Sequence, residues 1–345
     1  MTLEQVRALV RPNIARLTPY STARDEYKGT LGIFLDANES PYPTGYNRYP
    51  DPRQMALKQR LSEIKGVPVE SIFVGNGSDE AIDLVFRVFC TPGVDNVVAI
   101  EPSYGMYAVS AAINDVAVRG VALGENFSLP VDAILAACDA HTKAIFLCSP
   151  NNPSGNAFAR EDLLYIVRNA PAMVVVDEAY IDFCDQPSLR FEVEKEPNLV
   201  VYQTLSKAWG LAGLRLGLAF AHPAVISVMS QVKYPYNISA LTQKTVVKAL
   251  ESPIDAQVKE IISERGRVAD ALQSLPCVLK VYPSQANFLL VKVTDADALY
   301  DLLVSRGVIV RNRNKVKGCA GCLRITIGLK EENDVMLDAL KNYQV

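Results

Sequence analysis

Lys207 closes the run Leu199-Val200-Val201-Tyr202-Gln203-Thr204-Leu205-Ser206-Lys207, in which an apolar strand pattern stops at a hydroxyl and an amine. Earlier in the chain, Ala172-Met173-Val174-Val175-Val176 runs into Asp177-Glu178-Ala179-Tyr180, which sets a carboxylate and a phenol at a second strand end. In open α/β sheets the strand ends form the ligand crevice. A lone lysine after a strand is ordinarily a solvated turn residue. One that shares a crevice with an acid and a phenol is placed for covalent chemistry.

An amine nucleophile, an acid able to hold a ring nitrogen protonated and a nearby phenol are what pyridoxal phosphate requires. Gly75-Asn76-Gly77-Ser78-Asp79-Glu80 follows a strand pattern and opens a helical one, so the backbone N–H groups at Gly77 and Ser78 are placed to hold a phosphate, aided by the macrodipole. The same residues also make an ordinary N-cap and acidic first turn. Ser206 and Arg215 strengthen the phosphate reading, because Gly213 and Gly217 permit close approach around a guanidinium that grips phosphate with two hydrogen bonds. In Ser149-Pro150-Asn151-Asn152-Pro153-Ser154-Gly155, a proline-rich turn, the Asn152 amide can hydrogen-bond a phenolate oxygen on a cofactor ring. Tyr104, in Pro102-Ser103-Tyr104-Gly105-Met106-Tyr107, offers an aromatic face on which that ring can stack.

With Asn152, Asp177, Tyr180, Lys207 and Arg215 in this order, the chain resembles the fold-type I pyridoxal-phosphate aminotransferases over nearly its whole length. Several stretches are similar, within that group, to the histidinol-phosphate aminotransferase family: Leu17-Thr18-Pro19-Tyr20, Leu35-Asp36-Ala37-Asn38-Glu39-Ser40-Pro41, Arg48-Tyr49-Pro50-Asp51, the segment from Thr204 to Arg215, and Cys322-Leu323-Arg324-Ile325-Thr326. The resemblance implies an enzyme that moves an amino group from histidinol phosphate to 2-oxoglutarate, giving imidazole-acetol phosphate and glutamate, a step of histidine biosynthesis. It implies that Lys207 forms the Schiff base with the cofactor and then carries the proton, that Asp177 keeps the ring nitrogen protonated, and that Tyr180 and Asn152 hold the ring 3-oxygen. Ser206, Arg215, Gly77 and Ser78 would anchor the cofactor phosphate.

By the same resemblance, Arg324 binds the α-carboxylate of glutamate or the phosphate of the other substrate, and Arg311 is a second such arginine, although Arg311-Asn312-Arg313-Asn314-Lys315 also reads as a basic solvated loop. Tyr20 and Tyr49 resemble substrate-side residues, with Tyr49 reaching across from the other subunit of a homodimer. Ser154 stands where relatives often carry threonine, and Trp209 where they often carry a smaller or different aromatic residue; neither change removes a contact. The same residues also fit a lyase resembling threonine-phosphate decarboxylase, or an aromatic amino acid aminotransferase. A ligand-sensing regulator on this fold would carry a basic helix-turn-helix, and none precedes the aminotransferase pattern.

The elements that must position these groups are legible as an alternation of strand and helix patterns. Apolar runs at 71–74, 96–100, 117–121, 144–148, 172–176, 199–204 and 216–220 alternate with helical ones, the βαβ signature of a mainly parallel sheet flanked by helices. After Pro235 the pattern turns to a long helix over 254–275, then strands near 278–282, 287–293, 308–310 and 322–327 with helices around 297–306 and 331–343. The expected organisation is an N-terminal arm over 1–30, a large cofactor-binding domain over 31–235 and a smaller C-terminal α/β domain over 236–345.

A length of 345 residues is enough for such a pair of domains. A net charge of −3, with both signs mixed along the chain, gives no footprint for nucleic acid or an anionic membrane. Met1-Thr2-Leu3-Glu4-Gln5-Val6-Arg7 has no basic stretch leading into an apolar one, and no run approaches the length of a bilayer span, so a cytoplasmic location is expected. Seven scattered cysteines suit a reducing compartment. Cys319-Ala320-Gly321-Cys322 lacks the second pair of ligands that a structural zinc needs, so no metal is expected.

Overall fold

The computed structural model of the protein describes residues 1–22, 32–341 and 343. Seven strands, β1 (Ile72–Asn76), β2 (Asn96–Glu101), β3 (Ala117–Ala122), β4 (Thr142–Cys148), β5 (Met173–Asp177), β6 (Leu199–Thr204) and β7 (Leu216–Ala221), form one sheet in the order β1-β7-β6-β5-β4-β2-β3. Pairings from β3 through β6 are parallel, whereas β7 runs antiparallel to both β6 and β1. The reversal follows from chain length: only the segment 205–215 joins β6 to β7, too short for the crossover that a parallel return needs.

Both faces of this sheet are covered, which is why its strands read as continuous apolar runs rather than alternating ones. Val174, Val176, Leu199 and Val201 pack into one core with Leu57, Leu61 and Ile166, while their strand neighbours Val175, Val200 and Tyr202 pack into the other with Phe86, Phe89 and Phe146. The strand directions bring the C-terminal ends of β1, β2, β4, β5 and β6 to one edge, together with the start of β7, since Cys148 pairs with Asp177, Asp177 with Tyr202, Thr204 with Gly217 and Asn76 with Leu216. Every sheet-borne candidate residue is attached at that edge.

A second sheet, all antiparallel, has the order β10-β11-β9-β8, with β8 at Val278–Val281, β9 at Phe288–Val293, β10 at Arg311–Asn312 and β11 at Cys322–Thr326. Leu289, Val291, Leu323 and Ile325 meet helices Asp255–Gln273, Ala296–Ser305 and Lys330–Lys341 through Leu272, Leu299, Leu303 and Leu337. Because side chains alternate along a strand, Arg324 stands on the opposite face from Leu323 and Ile325. The third strand begins later than the 308–310 expected from its apolar letters. The N–H of Val308 closes the preceding helix on the carbonyl of Leu303, and the pairing with β11 starts at Arg311 and Asn312, opposite Arg324 and Leu323.

Helix Ala240–Ala249, which falls inside the 236–345 span expected for the small domain, packs through Val246 and the adjoining Leu250 in the core of the large sheet, beside Leu57 and Leu61. The helix Leu3–Leu9 is closed at its start by a Thr2/Gln5 capping box, and its Val6 enters the other core with Phe89. The expected end of the arm at residue 30 lies outside the described residues. Among the described residues no helix is long and apolar enough to cross a membrane.

Candidate active site

A cleft of about 780 Å³ opens at the common strand edge. Asp177 enters it from the end of β5 and is almost wholly buried, accepting a hydrogen bond from the Tyr107 hydroxyl at 2.8 Å and another from the Ala179 N–H at 3.0 Å. Burial pushes its carboxyl up to about 6, against the pull of those two donors. Lys207, three residues beyond the Thr204 end of β6, remains exposed to the cleft. Its amine is nevertheless pushed below its ordinary range, first by loss of water around it and then by the positive charge of Arg324, with Asp177 pulling the other way. An amine so placed can pass between neutral and charged forms more readily than a free lysine.

Tyr180 is buried, its ring 5.7 Å from the Lys207 amine and its hydroxyl 3.5 Å from the Asn152 Nδ2 donor. Arg324 donates through Nη1 to Asn152 Oδ1 at 2.5 Å, which ties the small domain to the turn after β4. Tyr104 sits edge-on to Tyr107, with ring centroids 5.6 Å apart, and donates its hydroxyl to Asp79 at 3.0 Å.

The anion-binding end is built from close backbone approach. Gly77 has a φ of +72° and begins helix Gly77–Phe89, and a Cβ there would lie 2.7 Å from Arg215 Nη2. Arg215 itself adopts the left-handed region with φ 53°, which turns its guanidinium back toward that helix start, 3.5 Å from Asp79. On the other side of the sheet pairing, a Cβ on Gly217 would meet the Ser78 nitrogen at 2.0 Å and the Gly77 carbonyl carbon at 2.2 Å. Backbone atoms cannot yield as a side-chain tip can, so Gly217→Ala is expected to cost about 2–3 kcal/mol and to misplace the Ser78 N–H. Denaturant unfolding together with titration of the cofactor-free protein would check this; an alanine tolerated within ~0.5 kcal/mol would show that the helix start does not depend on that approach.

Apart from Tyr107 and Gly217, which are buried, these residues, with Ser206, Arg311 and Arg324, line the one cleft. Tyr20 and Tyr49 do not. Tyr20 is 75% exposed and borders a separate hollow with Arg53, Lys58 and Lys233, whereas Tyr49, 52% exposed, stacks on Tyr236 with centroids 4.4 Å apart. Three further residues enter the site that the sequence did not single out: Asp79, Tyr107 and Arg313. The three-residue spacing of Tyr104 and Tyr107 was a signal for the second of these.

Residues 37–340 match the family described as aminotransferase class I and II. The chain belongs to this family. Among its relatives, a histidinol-phosphate aminotransferase of Parabacteroides distasonis is 55% identical over 99% of this chain and 100% of its own length, and one of Bacteroides fragilis is 52% identical over the same shares. Two solved histidinol-phosphate aminotransferases share the fold. That of Clostridium acetobutylicum has a TM-score of 0.78 at 23% identity, covering 86% of this chain and 90% of its own. That of Sinorhizobium meliloti, in complex with pyridoxal-5'-phosphate, has 0.76 at 24%, covering 88% and 89%. The cleft of this aminotransferase fits the same cofactor, since it supplies a buried carboxylate, an amine of lowered basicity, an aromatic face and a helix start left clear by glycine beside the Arg215 guanidinium.

Proposed function

We infer that this protein is a pyridoxal-phosphate-dependent histidinol-phosphate aminotransferase, interconverting histidinol phosphate plus 2-oxoglutarate with imidazole-acetol phosphate plus glutamate in histidine biosynthesis. The observation that carries the reading is the convergence of Lys207, Asp177 and the arginines of the small domain on one cleft, in a chain more than half identical to a relative of that name. Pyridoxal phosphate, when bound, supplies a conjugated ring that accepts the electron pair left on the substrate carbon as its proton is removed.

The residues divide the remaining work. Lys207 is the nucleophilic amine and afterwards moves the proton to and from the substrate carbon, a task suited to an amine whose pKa lies nearer neutrality. Asp177 holds a proton at the ring nitrogen; its burial strengthens that charge pair, and Tyr107 and the Ala179 N–H fix the carboxylate's orientation. Tyr180 and Asn152 present their hydroxyl and amide to the ring oxygen, Tyr104 covers the ring, and Ser206, Arg215 and the N–H groups at Gly77 and Ser78 bind the phosphate. Arg324 and Arg311 take the anionic end of either substrate, a phosphate in one half-reaction and a carboxylate in the other.

Tyr20 and Tyr49 stand apart from their own chain's cleft, which supports a homodimer in which Tyr49 completes the site of the opposite subunit. A cytoplasmic enzyme of small-molecule substrates, without nucleic-acid or membrane partners, accords with the mixed surface charge. The test is the visible spectrum of the purified protein as histidinol phosphate and then 2-oxoglutarate are added. The cofactor band is expected to disappear and return, with glutamate formed in step; a band left unchanged by histidinol phosphate, with carbon dioxide released when threonine phosphate is supplied instead, would make the enzyme a decarboxylase.

A further inference from the structure

Three arginines of the small domain face the cleft, and two of them are anchored opposite one another: Arg311 and Arg324 pair across the antiparallel strands β10 and β11. Arg313 lies two residues beyond Arg311, on the same side by strand alternation, and its own N–H bonds to the Cys322 carbonyl, which continues the pairing. No carboxylate forms an ion pair with any of the three among the described residues, where many other arginines of the chain are so matched. Among the described residues, the one side-chain hydrogen bond of Arg324 goes to the neutral Asn152, and the side chains of Arg311 and Arg313 make none. The Nε atoms of both Arg313 and Arg324 are buried without a partner.

Gathering three like charges beside two unpartnered donors is unfavourable by itself, and the guanidiniums of Arg313 and Arg324 are correspondingly pushed down by burial and by their neighbours' charge. An incoming anion reverses that cost. A carboxylate offers two oxygens and one charge, which Arg324 and Arg311 can cover between them. A phosphate monoester offers three oxygens and between one and two charges near neutral pH, and so has acceptors left for a further guanidinium.

We propose that Arg313 is a specificity-determining residue that binds the phosphate group of the phosphorylated substrate, adding a contact which the carboxylate of the other substrate does not use. The proposal rests on the functional reading above. It explains why the small domain supplies more cationic groups than two alternating carboxylate-sized ligands require.

Arg313→Gln in the holoenzyme tests it through the two half-reactions measured separately. The expected result is a loss of about 10–100-fold in kcat/KM for histidinol phosphate, the effect of one charge-assisted contact, with kcat/KM for glutamate held within about threefold and partial recovery in Arg313→Lys. Equal losses for both substrates, or none for either, would overturn the assignment, because a merely structural arginine has no reason to discriminate. Calorimetric binding of methyl phosphate to the holoenzyme provides a second readout, expected to weaken by a similar factor in Arg313→Gln. If the wild-type enzyme converts no histidinol phosphate, the functional reading fails. The arginine assignment is then decided by methyl phosphate alone, and binding unchanged by the substitution refutes it.

Discussion

Lys207→Ala is expected to abolish turnover while leaving a folded protein that still takes up the cofactor. Among the described residues Lys207 is the sole lysine lining the cleft, so no neighbouring amine can substitute for it. Loss of general acid–base catalysis alone accounts for about 10²–10⁴ in rate, and loss of the nucleophile adds to that, so a fall of at least ~10⁴, equivalent to ~5.5 kcal/mol, is expected in kcat. Folding is not expected to suffer. The amine's folded-state pKa lies below its ordinary 10.5, so folding opposes its charged form, and the group's contribution grows less favourable as pH falls toward neutrality. Alanine removes a charge that the folded cleft disfavours, and the groups proposed to hold the cofactor phosphate at Ser206, Arg215 and Ser78 remain. Thermal melts and cofactor titration separate the two effects. A variant that keeps even a tenth of the wild-type rate would remove Lys207 from the chemistry.

The strand ends that carry this chemistry were legible because a fully buried parallel strand is a run of apolar letters, and its end is marked by the first polar one. Thr204-Leu205-Ser206-Lys207 and Val176-Asp177 show that boundary directly. Partners supplied by distant segments were not legible. Tyr107 lies in a helix of small and apolar residues, and its bond to Asp177 spans 70 positions, which no local pattern encodes. The basic segment after Val310 also read as a solvated loop, and its pairing with β11 is what turns Arg311 and Arg313 toward the cleft. Helix Ala240–Ala249 announces a helix but not its host: Val246 and Leu250 fit any apolar surface, and the choice of the large core is made by helix Met55–Lys65 lying opposite. Pattern specifies elements, whereas the matching of faces is a property of the assembled chain.

Asp177→Asn is expected to move activity and stability in opposite directions. The amide cannot balance a proton at the ring nitrogen, so the proton-transfer step is expected to slow by about 10²–10³, the scale seen when one group of a preorganised polar site is lost. A change smaller than about tenfold, ~1.4 kcal/mol, would mean that another carboxylate does this work. In the cofactor-free protein the sign reverses. Asp177 has a folded-state pKa of about 6 against an ordinary 3.8, so between those values the folded protein holds the extra proton and stability falls as pH rises. By pH 7 the charged, buried carboxylate has cost about 3 kcal/mol relative to a neutral side chain. Asparagine keeps an acceptor for the Ala179 N–H, and its amide can donate to Tyr107 if that hydroxyl turns from donor to acceptor, at a cost of about 1 kcal/mol for the rearranged bond. The cofactor-free variant is therefore expected to be more stable than wild type by about 1–2 kcal/mol at pH 7.5, with the gap closing as the pH is lowered toward 4, where the wild-type carboxyl is itself neutral. Urea unfolding of both cofactor-free proteins across that range reads the effect. A wild-type protein that is the more stable of the two at pH 7.5 would show that Tyr107 and the Ala179 N–H already offset the burial of the charge. The expected gap instead makes the buried carboxylate a strain that the fold sustains, matched to the ring nitrogen that Asp177 is proposed to meet.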